Sequence, residues 1–115
     1  MTDHGLRIDL AAIAANWGAL AARAGTARAA AVVKADAYGL GAARVAPALY
    51  HAGARDFFVA IASEGRALRH CLPEDARILV LSGHMEGEDL TGLIPVLNSP
   101  AQFFRDRATR PGGTF

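Results

Sequence analysis

Short apolar runs alternate with segments of helical periodicity along almost the whole chain, and this alternation is the main constraint on its fold. Apolar runs predict strands at 29–35, 57–61 and 77–81, with a weaker one at 95–97. Apolar residues at helical spacing predict helices at 42–52, 63–72, 86–93 and 100–108. Strands and helices in this alternation form parallel sheets through crossover connections. An open doubly wound sheet and a closed barrel both fit, and only about half of a barrel of roughly 250 residues would be present.

A further strand and helix are predicted before this series. Residues 6–10 alternate weakly between apolar and polar side chains, which predicts a short strand. Asp9 is a candidate N-cap for the helix that follows, and Gly25 marks its end. The apolar face of this helix consists of Leu10, Ile13, Trp17 and Leu20. We therefore expect Trp17 in the core rather than against a ligand.

The composition and charge are those of an ordinary soluble domain. Of the 115 residues, 52% are hydrophobic and 20% are charged, which is enough to bury one core. The formal net charge is +1 and the arginines are dispersed, so nucleic acid is not an expected partner. The most apolar stretch, 10–22, contains Asn16 and Gly18 and is shorter than the ~20 apolar residues that span a bilayer, so no membrane segment is expected.

The single cysteine and the two ends of the sequence indicate the expected compartment and whether the chain is a fragment. Cys71 cannot form an intramolecular disulfide, so we expect a buried thiol in a reducing compartment, the cytoplasm. The initial segment lacks the basic and apolar regions of a secretory signal. The final Arg-Pro-Gly-Gly-Thr-Phe is a turn signal that would lead into another strand, so we expect a truncated chain.

Lys34 ends an otherwise apolar predicted strand, where its charge requires an explanation. The side chain can reach solvent at the strand end, or it can serve covalent catalysis. Apolar surroundings favour the neutral amine that Schiff-base chemistry requires. Alternate residues of a strand share a face, so Ala30, Val32 and Lys34 would line one wall. Active sites of barrels and open sheets lie at this carboxyl end of the strands.

A glycine-bearing turn follows Lys34 and opens the next predicted helix. Gly39 and Gly41 precede that helix, whose first N–H groups suit a phosphate. Their spacing also resembles the start of a dinucleotide-binding fingerprint, with Glu64 near the position of the ribose-binding acid. Arg44 stands where the fingerprint needs its third glycine, and the fingerprint gives Lys34 no role. A dinucleotide site is therefore the weaker interpretation.

Residues 31–41, Ala-Val-Val-Lys-Ala-Asp-Ala-Tyr-Gly-Leu-Gly, resemble the attachment motif for pyridoxal phosphate (PLP) in alanine racemases. Further similar segments are Arg-Ile-Asp-Leu at 7–10, Phe-Val-Ala-Ile-Ala-Ser-Glu-Gly at 58–65 and Ile-Leu-Val-Leu-Ser-Gly at 78–83. The resemblance covers essentially the whole chain. It implies that Lys34 binds PLP and is one of two catalytic bases, that Tyr38 hydrogen-bonds the cofactor phosphate, and that Val32 packs against the ring.

The resemblance also implies an architecture and a biological role. Residues 1–115 would be the amino-terminal part of a PLP-binding TIM-type (β/α)8 barrel, with about four strand–helix units after an N-terminal strand and helix. The rest of the barrel and a C-terminal β-domain would be absent. The complete enzyme would be a cytoplasmic homodimer that interconverts L- and D-alanine and supplies D-alanine for peptidoglycan. Its second base, a tyrosine of the partner subunit, and its pyridine-facing and substrate-binding arginines would lie outside this chain.

Other functions stay open on the sequence alone. They are a non-catalytic PLP-binding barrel protein, an inactive fragment and a dinucleotide-binding module. A borohydride-reducible PLP adduct would favour an enzyme or a carrier, and racemisation would then distinguish these two.

The remaining polar candidates are given structural roles. His4, His51, His70 and His84 do not have metal-ligand spacing, so we expect no metal site and place them on the surface or at helix ends. Cys71 next to His70 is expected to be structural, since adjacent helix positions point apart. Glu64 and Arg66 are expected to open the helix after the second strand, where an acid complements the helix dipole.

Overall fold

The computed structural model describes residues 8–113, which form a four-stranded sheet with helices. The elements in chain order are α1 (Leu10–Arg23), β1 (Ala31–Val32), α2 (Lys34–Tyr38), α3 (Ala42–Ala52), β2 (Asp56–Val59), α4 (Ala62–Arg69), β3 (Arg77–Val80), β4 (Ile94–Pro95) and α5 (Pro100–Thr109). Neighbouring strands are parallel and lie in the sequence order β1-β2-β3-β4. A doubly wound sheet reverses its strand order, whereas a barrel wall does not. The sheet is therefore part of an α/β barrel, as predicted.

The strand register separates the two faces of the sheet. On one face Phe57 pairs with Ile78 and Val59 pairs with Val80, and all four side chains are buried in the main core. The other face carries one row of side chains across all four strands, which we call the inner row: Val32, Phe58, Leu79 and Ile94. These side chains are half-buried or exposed. The inner row is thus the open face of the wall.

The first helix begins directly after Asp9, whose side chain accepts a hydrogen bond from the Ala12 N–H at 3.0 Å. This confirms Asp9 as the N-cap, and α1 ends at Arg23, close to the predicted Gly25. The strand predicted at 6–10 is wrong for residues 8–10, because Asp9 caps α1 and the helix begins at Leu10. Residues 6 and 7 lie outside the described part. Within residues 8–113, no helix has both the length and the apolar character needed to cross a membrane.

The first strand is much shorter than the predicted 29–35. β1 itself covers Ala31–Val32, and the Val33 N–H makes one more bond to the Phe58 carbonyl at 2.9 Å. Pairing ends there because the backbone turns into α2 at Lys34. The following helix, α3, occupies the predicted range and ends at Gly53, whose φ of 119° suits glycine.

The helix predicted at 86–93 is wrong, since this segment consists of turns and irregular backbone. Gly87 and Gly92 have φ values of 79° and 77°, which interrupt a right-handed helix. Between them the Asp89 carboxylate accepts hydrogen bonds from the N–H and the hydroxyl of Thr91, at 2.9 and 2.6 Å. Such local bonds compete with helix formation. The third strand is therefore followed by a loop, while α5 follows the fourth as predicted.

A buried side-chain contact joins this loop to α5. His84 and Asp106 are 2% and 1% exposed, and His84 Nδ1 lies 2.7 Å from Asp106 Oδ1. Arg110 Nε donates to the same oxygen at 2.8 Å, and its Nη1 donates to the carbonyls of Leu90 and Leu93. The expectation of an exposed or helix-end His84 is wrong, because a carboxylate distant in sequence gives it a buried partner.

Asp106→Asn is expected to lower the free energy of unfolding by about 3 kcal/mol, because it removes the charge that His84 and Arg110 contact. Burial raises the pKa of Asp106, but hydrogen bonds from Arg110 and His84 together hold it below its ordinary value. A lowered carboxyl pKa contributes stability above about pH 4 that is lost as the pH falls through the folded-state pKa. Urea unfolding of wild type and variant in the complete protein, at one protein concentration and from about pH 3 to 7, should therefore show that the free energy of unfolding falls more steeply with acid in the wild type. Equal stability at neutral pH would contradict this role.

Candidate active site

The three predicted site residues lie at the carboxyl end of β1. Val32 is the last residue of this strand, and Lys34 and Tyr38 are the first and last residues of α2. Val32 is 46% exposed on the inner row, whereas Ala31 and Val33 are buried on the opposite face. Lys34 is half-buried and follows directly after Val33, where the strand pairing ends at the carboxyl edge of the sheet. This is the edge of a parallel sheet where barrels carry their active sites.

The turn that holds Lys34 and Tyr38 is left-handed. The φ values of Ala35, Asp36, Ala37 and Tyr38 are 52°, 56°, 57° and 57°. This conformation costs roughly 1–2 kcal/mol for each L-residue, so a run of it must be held by other contacts. Backbone strain of this kind is concentrated at functional sites.

Glu64 holds the start of the left-handed turn. Its Oε2 accepts a hydrogen bond from the Ala35 N–H at 2.8 Å. Its Oε1 accepts bonds from the N–H groups of Ala60 and Ile61, at 2.8 and 3.3 Å. Glu64 thus lies in the first turn of α4, as predicted. It also connects the ends of β1 and β2, a role that no local sequence pattern predicts. Arg66 was expected there too, but it lies in the last turn of α4.

Asp36 holds the end of the same turn. Its Oδ1 accepts a hydrogen bond at 2.8 Å from the N–H of Ala42, the first residue of α3. This carboxylate takes one of the first N–H groups of α3, which were expected to suit a phosphate, and its charge disfavours a second anion there. Gly39 and Gly41, with φ of 87° and 95°, provide the turn into α3. The dinucleotide interpretation thereby loses one of the N–H donors that its phosphate would need.

The polar ends of Lys34 and Tyr38 are available to a ligand. Among residues 8–113, neither the Lys34 ammonium nor the Tyr38 hydroxyl has a hydrogen-bond or ion-pair partner. Tyr38 is 64% exposed, and Val32, at the end of β1, adds apolar surface that is 46% exposed. An amine, a hydroxyl donor and an apolar wall suit the aldehyde, the phosphate and the ring of PLP. The residues present therefore fit the cofactor that the sequence resemblance implies.

A cavity of about 190 Å³ lies behind this segment, on the helix-covered side. Its walls include Val33, Val59, Glu64, Leu68 and Cys71. Cys71 borders this space and is half-buried, which corrects the expectation of a fully buried thiol. Between residues 8 and 113, no group of three or more His, Cys, Asp or Glu side chains is arranged to hold a metal ion.

The sequence is similar to characterised racemases over most of its length. The family profile described as alanine racemase, N-terminal domain, matches residues 8–110. The alanine racemase of Rhizobium meliloti is 55% identical over 101 residues, which cover 84% of this chain and 26% of the relative. The alanine racemase of Brucella ovis is 54% identical over the same shares. The chain therefore spans 26% of the length of these curated relatives.

Solved structures show the same arrangement of strands and helices. The crystal structure of alanine racemase from Bartonella henselae with covalently bound pyridoxal phosphate matches with a TM-score of 0.84 and 42% identity. The match covers 89% of this chain and 30% of that one. Alanine racemase from Streptomyces lavendulae matches with a TM-score of 0.78 and 32% identity, over 88% of this chain and 27% of that one. The parallel wall described above is thus part of a larger barrel fold.

Proposed function

The chain belongs to the alanine racemase family, by its N-terminal domain, and we propose that it forms the cofactor-binding wall of a PLP-dependent enzyme that interconverts L- and D-alanine. The observation that carries the proposal is the position of Lys34. It is the single lysine of the 115-residue sequence, and it lies at the carboxyl end of β1, at the start of α2. Residues 1–115 would be the amino-terminal part of the barrel domain, with the remaining strands and a C-terminal β-domain elsewhere in the complete protein.

Each residue at the edge of β1 has a distinct role in this proposal. PLP, when bound, withdraws electrons from the α-carbon of the substrate. Lys34 would hold the cofactor covalently through Nζ, and its amine would move a proton at one face of the substrate α-carbon. Tyr38 donates a hydrogen bond to the cofactor phosphate, and Val32 packs against the ring. The opposite face needs a second base, which we assign to a tyrosine of the partner subunit in a cytoplasmic homodimer that supplies D-alanine for peptidoglycan.

The test is racemisation by the complete protein that contains this chain. After purification with PLP, it is expected to form D-alanine from L-alanine and the reverse, and to incorporate deuterium at the α-carbon in heavy water. PLP bound at Lys34 without D-alanine formation would make the protein a carrier. Absence of bound PLP would overturn the proposal.

Tyr38→Phe is expected to weaken PLP retention about 10- to 100-fold, because a hydrogen bond to a charged phosphate contributes about 1.5–3 kcal/mol. The change removes the hydroxyl and keeps the ring. Equilibrium dialysis of the complete protein would measure the Kd for PLP. Tyr50→Phe is a matched control, since the Tyr50 hydroxyl bonds Asp75 at 2.6 Å instead and its loss should leave PLP affinity unchanged. Equal retention by Tyr38→Phe and wild type would remove Tyr38 from the site.

A further inference from the structure

We propose that Glu64 is a positioning residue for Lys34, because its carboxylate holds the peptide group that joins Lys34 to Ala35. The inference deepens the proposed function and rests on it. The Ala35 N–H, which donates to Glu64 Oε2 at 2.8 Å, belongs to that peptide group. Rotation of this peptide plane is the ψ rotation of Lys34. Glu64 therefore fixes the backbone from which the lysine amine reaches the cofactor.

Two hydrogen bonds flank Lys34 along the backbone. On its amino side the Val33 N–H donates to the Phe58 carbonyl at 2.9 Å, the last bond of the strand pairing. On its carboxyl side the Ala35 N–H donates to Glu64. The first N–H groups of a helical turn have no partner within the turn, so the left-handed turn cannot satisfy Ala35 itself. Glu64 supplies the missing acceptor at the point where the strained backbone begins.

Glu64 is itself fixed by the second strand–helix unit. Its other oxygen accepts the N–H groups of Ala60 and Ile61, and its position in the first turn of α4 is favourable for a negative charge. The contact with Ala35 is thus made from an anchored side chain. Both carboxylate oxygens act as acceptors, so the arrangement requires a carboxylate rather than an amide.

Glu64→Gln and Glu74→Gln in the complete protein form a matched pair. Each substitution replaces one carboxylate by an amide of similar size and removes one negative charge. In Glu64→Gln, the amide NH2 must face an N–H donor, so the link to Ala35 or the link to Ala60 is lost. Glu74 is exposed in the loop before β3, at the other end of the sheet, and serves as the control. Glu64→Asp is a second variant that keeps the charge but shortens the reach.

The first measurement needs neither PLP nor activity. Hydrogen exchange of peptides covering α2, followed by mass spectrometry on the cofactor-free protein, is expected to show faster exchange at Ala35 in Glu64→Gln and no change in Glu74→Gln. The second measurement is the rate at which borohydride traps PLP on Lys34, taken at saturating PLP and well below each Tm. We expect Glu64→Gln to slow it about 10- to 100-fold, as misplacement of a reacting group does. We also expect kcat to fall more than KM for alanine rises.

The outcomes separate a positioning role from a structural one. A lower Tm with a wild-type trapping rate and kcat in Glu64→Gln and Glu64→Asp would overturn the inference. Unchanged exchange at Ala35 in both variants would overturn it as well. Failure of wild-type protein to take up PLP on Lys34 would overturn the proposed function and, with it, this role of Glu64. The exchange data, obtained without PLP, distinguish that failure from loss of the Glu64 contact.

Discussion

Lys34→Ala in the complete protein is expected to abolish racemisation, with a loss of at least about 10,000-fold, and to eliminate borohydride-stable PLP from this segment. The substitution removes the covalent attachment and one of the two proton-transfer groups at once. Lys34 is the single lysine of the 115 residues, so no other side-chain amine here can take its place. Borohydride reduction, digestion and mass spectrometry locate the adduct, and chiral chromatography measures D-alanine.

A second substitution separates chemistry from charge. Lys34→Arg keeps a cation on the same face, but a guanidinium stays protonated and forms no such adduct. We expect it to be as inactive as Lys34→Ala. Equal PLP uptake and turnover in wild type and Lys34→Ala would show that the covalent assignment is mistaken.

The 115-residue chain, expressed alone, is expected to self-associate and to show no measurable racemase turnover. Its inner row is open, since Val32 is 46% exposed and Phe58, Leu79 and Ile94 are only half-buried. Within residues 8–113 the strands β1 and β4 each pair on one side only, and open edges and apolar faces of this kind favour association. Turnover is also expected to fail because the proposed second base comes from a partner's β-domain.

Light scattering and a D-alanine assay with added PLP test this expectation. Leu79→Glu places a charge on the inner row and should reduce association. Leu20→Glu, at a position 65% exposed on α1, should leave association unchanged. A monodisperse wild-type monomer with racemase turnover would contradict both parts of the prediction.

The central strands and most helices could be predicted because local pattern and final packing agree in them. Phe57 and Ile78 lie in continuous apolar runs and are fully buried. The helix at 86–93 was predicted wrongly because its apolar residues have helical spacing, whereas Gly87 and Gly92 take left-handed geometry and turn the chain. Hydrophobic spacing indicates which residues are buried, but it does not determine the backbone conformation between them.

The site was predicted only in part for a related reason. The motif located Lys34 and Tyr38, but four successive left-handed residues without a glycine among them have no local signature. That turn depends on acceptors elsewhere in the fold, since Glu64 is 29 positions from Ala35 in sequence. The burial of His84 depends in the same way on Asp106, 22 positions away. Such contacts become visible only when the strands and helices are placed together.

The left-handed turn also limits which mutations this segment can accept during evolution. A single nucleotide change in an alanine codon gives valine, threonine, proline, serine, glycine, aspartate or glutamate. At Ala35 and Ala37, with φ of 52° and 57°, proline is excluded and β-branched residues are strongly disfavoured. Ala37 is also 4% exposed, which makes an acidic side chain costly. Of the single-nucleotide changes at Ala37, only those to glycine and serine are therefore expected to be accepted. The left-handed backbone thus limits sequence variation close to Lys34.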